Sequence, residues 1–284
     1  MKPTDQQFFV NGYHLAALEW HAGARHRVIA CHGWLDNAAS FHRLAPLLDQ
    51  CHLVALDLSG HGHSDHKSLQ ATYNVWDDLL DILAVADSLG WPQFHLLGHS
   101  RGAIMNMMLA AAMPQRIKSL IMLDGLLPQP TPISATAEQL GKFLRDYSKP
   151  QKPKQHPGFA TLEDAVKVRR RAIGMSEESA RPIVERGLIE REGRLYWRSD
   201  PRLLNASAFK MSHEHNQAII DALQVPNLLL VTEEGVSSFP YFGELTAANP
   251  KIQRRALAGS HHFHMEAPAE EVAEYVREFI AANA

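Results

Sequence analysis

The chain has 284 residues, 28 Lys plus Arg against 31 Asp plus Glu, and a formal charge of −3. With 45% hydrophobic and 21% charged residues it has ordinary globular composition, which excludes a disordered chain, and at this length it buries roughly 75% of its unfolded surface without needing staples. No basic excess is present to hold a phosphate backbone, so nucleic acid is not an expected partner.

A hairpin is predicted first, from Gln7–Val10 and Leu15–Glu19 around the turn dipeptide Asn11-Gly12. Three apolar runs then each end in a glycine turn. Arg27–Cys31 leads into His32-Gly33, Leu53–Leu56 into Asp57 and Gly60-His61-Gly62, and Phe94–Leu97 into Gly98-His99-Ser100. Runs without alternation suit central strands covered on both faces. Helices are predicted between them at Ala39–Leu48, Thr72–Leu89 and Gly102–Met113, and the last is apolar enough to be buried. Ile117–Leu123 is the next strand, ending at Asp124-Gly125.

Beyond it the strand–helix rhythm breaks. Prolines punctuate 128–132, and Pro150, Pro153 and Pro157 interrupt a Lys-rich linker. Helices are expected at Ala135–Tyr147, Leu162–Ile173 and Glu177–Arg186, with an extended piece at Arg191–Trp197. Arg169-Arg170-Arg171 is expected to be a solvated helix face. The rhythm resumes with a strand at Asn227–Val231, a helix at Tyr241–Ala248, a strand near Ile252–Leu257, a loop at Gly259–His264 and a last helix at Pro268–Ala281. The expected organisation is a core of 1–129 and 221–284 with a helical insertion at 130–220.

Cys31 and Cys51 lie in or beside apolar strands and read as small buried hydrophobes. No basic region followed by an apolar stretch opens the chain, and no apolar run reaches about 18 residues. A cytoplasmic protein without a membrane span is therefore expected. Oligomeric state is not legible.

Gly98-His99-Ser100-Arg101-Gly102 is a G-x-S-x-G sequence between a strand and a helix. In that setting the serine occupies a sharp turn that presents its hydroxyl clear of the sheet, beside the N–H groups opening the helix. A serine needs a base, usually an imidazole oriented by a carboxylate. His261, His262 and His264 lie in one late loop, so the order nucleophile, acid, histidine is available.

These segments resemble the α/β-hydrolase fold superfamily over nearly the whole chain. The marks are His32-Gly33-Trp34, Asp57 to Ser64, the Gly98–Gly102 elbow, and Gly259 to Pro268. With Leu123-Asp124-Gly125 they are most similar to the serine-hydrolase-like (kraken-type) subgroup. The resemblance implies a mostly parallel sheet with helices on both faces and a helical lid after the strand that follows the nucleophile helix. It implies His261 as base, five residues before the Glu of Glu266-Ala267-Pro268, with His262 before Phe263 as the alternative. It implies an oxyanion hole from the main-chain N–H groups of Trp34 and Arg101.

The acid has two candidate sites. The usual one, after Asn227–Val231, offers Glu233 and Glu234 in place of an Asp. The other is Asp124, and both loops emerge at the carboxyl edge of the sheet. Arg101 is expected to brace Asp57 or Asp124. The implied chemistry is cleavage of a carboxylic ester or thioester of a small to medium apolar substrate through an acyl-enzyme on Ser100, with no organic cofactor. A metal is not expected, because the three late histidines lack ligand spacing. Alternatives are the same machinery acting on C–C or amide bonds or as an acyltransferase, and a non-catalytic ligand-binding member.

Overall fold

The computed structural model describes residues 1–148, 157–247 and 251–284. Its centre is an eight-stranded sheet in the order β1-β2-β4-β3-β5-β6-β9-β10. β1 (Thr4–Val10) and β2 (Tyr13–Trp20) form the expected hairpin, with Val10 paired to Tyr13 and both Asn11 and Gly12 at positive φ. β2 runs antiparallel to β4 (Cys51–Leu56). The remaining neighbours, β3 (His26–Cys31), β5 (Phe94–His99), β6 (Ile117–Leu123), β9 (Asn227–Thr232) and β10 (Gln253–Leu257), are all parallel.

The apolar runs are buried on both faces. Along each strand the odd and even residues join different cores: Ile29, Leu96 and Leu229 on one side, Val28, Leu97 and Leu230 on the other. α1 (Val75–Ser88), α2 (Arg101–Ala112), α6 (His213–Ala222) and α7 (Pro240–Ala247) supply residues to the first core. α8 (Ala269–Ala282) and the turns around Phe41 and Leu44 supply the second. Met105 and Met107 of α2 are fully buried, as the composition of that helix predicts.

The helix expected at Ala39–Leu48 is replaced by two short 3₁₀ turns, Ala38–Phe41 and Ala45–Leu47. Pro46 has no N–H to continue a helical ladder, and Asn37 caps the first turn by accepting from Ala39 N. α1 starts three residues later than predicted, where Asn74 and Asp77 form a capping box.

Between β6 and β9 the chain leaves the sheet. α3 (Thr136–Ser148), α4 (Leu162–Ile173) and α5 (Glu177–Gly187) lie where predicted. The extended piece is one arm of a hairpin, β7 (Leu188–Arg191) with β8 (Arg194–Trp197), turning at Glu192-Gly193 with positive φ at both. α6 was not anticipated by the hydrophobic pattern, since only Asn216 and Ile220 of it are buried. Pro150 and Pro153 of the linker, and Ala248 at the expected end of a helix, lie outside the described residues.

A third apolar cluster, including Phe159, Val166, Ile183 and Val184, joins α4, α5 and β7 to Met265 of the late loop. Buried polar contacts fix the same region to the core. Arg186 holds the fully buried Asp57 at 2.9 and 3.1 Å, and Asn37 Nδ2 donates to Ile183 O at 2.8 Å. α3 is different, because none of its residues is buried. Cys31 and Cys51 are buried free thiols, with burial as the first cause raising both above the ordinary thiol range. Among the described residues no helix is long and apolar enough to cross a membrane.

Candidate active site

The strand order reverses at β3, whose neighbours are β4 on one side and β5 on the other, so the loops leaving β3 and β5 open a crevice at their carboxyl ends. The β5–α2 loop is a single residue, Ser100, at φ 51° and ψ −115°. Such a conformation costs a non-glycine residue about 1–3 kcal/mol and persists only where its surroundings impose it. Here they do. A Cβ on Gly98 would come 2.6 Å from Ala103 N, and one on Gly102 would come 2.1 Å from Cys31 O, so both flanking glycines are set by backbone crowding. Ser100 N donates to Leu123 O at 2.9 Å, which ties the elbow to the end of β6.

The next residue on β6 is Asp124, itself at φ 45°. Its carboxylate is fully buried and accepts from Val236 N at 3.1 and 3.3 Å and from Thr232 N at 3.4 Å. A Cβ on Gly235 would fall 2.0 Å from Asp124 Oδ2, so the β9 turn closes on the carboxylate only because that residue is glycine. The Nδ1 of His261 lies 2.5 Å from the same Oδ2. The His261 side chain keeps 34% of its surface exposed, and its ring packs on that of His99, next to Ser100, with centroids 4.7 Å apart. Serine elbow, imidazole and carboxylate thus share one end of the sheet.

The competing candidates go elsewhere. Glu233 and Glu234 are exposed, while the turn that carries them gives its N–H groups to Asp124. His262 is buried with Nε2 3.5 Å from Asp36 Oδ2, and His264 is fully buried with Nε2 3.1 Å from Ser40 Oγ.

Trp34 is half exposed, its indole donating to Leu203 O at 3.3 Å. Gly33 is required before it, since a Cβ there would meet His99 Nδ1 at 2.9 Å and Asp36 Oδ2 at 3.0 Å. Arg101 N belongs to the first turn of α2, where helical N–H groups lack intrahelical acceptors. Among the described residues neither Trp34 N nor Arg101 N donates a hydrogen bond.

Two side-chain expectations are corrected. Arg101 braces neither Asp57 nor Asp124. It pairs with Asp78 of α1, and Asp57 is taken by Arg186. The three arginines of α4 are not uniformly solvated, for Arg169 reaches inward to Asp36 Oδ1.

Asp36 is the residue that sequence reasoning missed, although it follows the His32-Gly33-Trp34 segment by two positions. Burial alone would raise its carboxyl, but the His262 imidazole at 3.5 Å and the Arg169 charge hold it well below the usual range. Burial pushes His99 down to about 4. The ligand atoms of Asp36, His99 and His262 lie within 4.8 Å of one another, a spacing a cation could bridge. Arg169 already places a positive charge on that carboxylate.

A family model of the alpha/beta hydrolase fold matches residues 26–172. A serine hydrolase-like protein of Dictyostelium discoideum is 29% identical over 273 residues, covering 90% of this chain and 75% of the relative. A probable serine hydrolase of Drosophila melanogaster is 29% identical over 280 residues, covering 92% and 82%. Among solved structures, a hypothetical protein of Pseudomonas aeruginosa PAO1 is 38% identical, with a TM-score of 0.91 and 99% of both chains covered.

Proposed function

This chain belongs to the α/β-hydrolase fold family, and on that premise we propose that it is a serine hydrolase cleaving carboxylic esters or thioesters of small to medium apolar acyl groups. The observation that carries the reading is the His261–Asp124 contact beside the Ser100 elbow. In this reaction Ser100 Oγ attacks the substrate carbonyl carbon while His261 takes the hydroxyl proton. Asp124, accepting from Nδ1–H, fixes the tautomer that leaves Nε2 free as base and stabilises the imidazolium. Trp34 N–H and Arg101 N–H receive the oxyanion, and each such donor is worth about 2.7–4 kcal/mol in the transition state.

Collapse of the intermediate breaks the carbonyl–oxygen (or –sulfur) bond, and His261 gives its proton to the departing alcohol or thiol. Water then attacks the acyl-serine, His261 accepts its proton, and the acid leaves as Ser100 recovers its hydrogen. We assign the described residues of 130–220 the part of a cap over this site. Two contacts support this: the Trp34 indole donates to Leu203 O, and the apolar cluster of α4 and α5 packs on Met265, close in sequence to His261.

The test is covalent labelling with a fluorophosphonate, run beside hydrolysis of p-nitrophenyl esters of increasing acyl length. The reading requires stoichiometric modification at Ser100, ester turnover, and loss of both in Ser100→Ala. Folded protein that neither labels nor turns over any ester overturns it.

A further inference from the structure

Resting on that reading, we propose that Asp36, held by Arg169 of the cap helix α4, is a positioning residue that sets the oxyanion loop and the histidine loop relative to Ser100. One buried carboxylate faces three separate segments, and two of those neighbours, His99 and His262, are each one residue from a reacting group. Asp36 follows Trp34 by two positions and its N–H donates to Gly33 O at 3.1 Å, closing the turn that aims Trp34 N. Its Oδ2 lies 3.7 Å from Nδ1 of His99, the residue before Ser100, and 3.5 Å from Nε2 of His262, the residue after His261. Its Oδ1 is taken by Arg169.

The turn is under tension. Leu35, between Trp34 and Asp36, sits at φ 60°, a region costly for a non-glycine residue, and its N–H reaches His61 Nε2 only at 3.3 Å. An anchor on the far side of Leu35 is what such a turn needs to hold one geometry. A carboxylate suits this anchor, since one oxygen accepts from Arg169 while the other faces Nε2 of His262. It must also be neutralised, because an unpaired buried charge is expensive. Arg169 does this from α4, so the rate of the reaction depends on a residue of the segment that covers the site. The guanidinium on Oδ1 also favours an ion pair over a metal, because a divalent cation beside it would leave a buried surplus of positive charge.

The experiment compares wild type with Arg169→Met and Arg169→Lys, using p-nitrophenyl butyrate turnover and fluorophosphonate labelling rate. Misplacement of catalytic groups by about 1 Å costs on the order of 100-fold, so Arg169→Met is expected to lose about 30- to 100-fold in kcat with KM nearly unchanged. Labelling slows in parallel, and Arg169→Lys recovers part of both. A merely structural latch lowers the melting temperature and leaves kcat intact, and that outcome overturns the proposal. So does a loss confined to KM. Should Arg169→Met fail to fold, Asp36→Asn and Arg169→Lys decide it: kcat reduced at constant KM supports positioning, and wild-type kcat in both refutes it. A wild type that labels normally while every variant keeps its kcat refutes positioning alone, whereas a wild type that never labels refutes the hydrolase reading.

Discussion

Asp124 Oδ2 and His261 Nδ1 lie 2.5 Å apart, although 137 positions separate the two residues in the chain. The carboxylate is fully buried and fixed by N–H groups of the β9 turn, so the imidazole is oriented by a group that cannot swing away. Replacing the acid by its amide should therefore disturb the tautomer more than the geometry. Asp124→Asn is expected to lower kcat by about 10⁴. Glu233→Gln and Glu234→Gln should stay within about twofold, as exposed residues away from this contact do. Ester turnover of the three variants checks it, and a large loss in either glutamate variant with an active Asp124→Asn would reassign the acid.

The strain at Ser100 gives an independent test of the elbow. Ser100→Gly should be inactive yet more stable than wild type by about 1 kcal/mol, a rise of about 2–4 °C in melting temperature, because glycine tolerates φ 51°. Ser100→Ala, also inactive, keeps the Cβ and should show no such gain. Equal melting temperatures for the two variants would contradict a strained turn.

Arg101 pairs with Asp78, whose side chain is 4% exposed. Arg101→Met strands that carboxylate and should cost about 3–5 kcal/mol of unfolding free energy. Adding Asp78→Asn removes the stranded charge and should restore more than half of the loss. Urea unfolding of the single and double variants reads this directly, and an additive further loss in the double variant would show the pair is not the source.

Acid should unfold the protein early. His32, His61, His95 and His99 are buried, and desolvation, the first cause in each case, pushes them down to about 4. In the unfolded chain they titrate near about 6.5, so below that pH the unfolded state binds more protons. Their contribution is complete above about pH 6.5 and is lost as pH falls toward 4, by up to about 1.4 kcal/mol per pH unit for each histidine. Urea midpoints measured at pH 7, 6 and 5 should fall progressively at constant slope, and a midpoint at pH 5 equal to that at pH 7 would refute buried neutral histidines.

The strands, most helices and the tight turn at Ser100 were legible in the chain because they rest on local rules. Apolar runs ending in glycine mark buried parallel strands, and Gly98 and Gly102 around Ser100 record crowding of adjacent backbone. The helix expected at Ala39–Leu48 failed on a local conflict, since the apolar pattern there was overruled by Pro46. α6 escaped notice for the opposite reason: it buries too little to leave a pattern.

The partners of charged side chains obey no such local rule. Nothing near Arg101 in sequence points to Asp78, and nothing in the run Arg169–Arg171 shows which arginine turns inward to Asp36. The resemblance favours His261 over His262 in the late loop, but only the fold shows that His261, His262 and His264 each face a different partner: Asp124, Asp36 and Ser40. The sequence by itself determined the sheet, the elbow and the residue types from which a site could be built. Only the tertiary structure decided which carboxylate meets which base, because that depends on strand order and loop closure bringing distant residues within a few ångströms, and a buried charge is stable only where such closure supplies its partner.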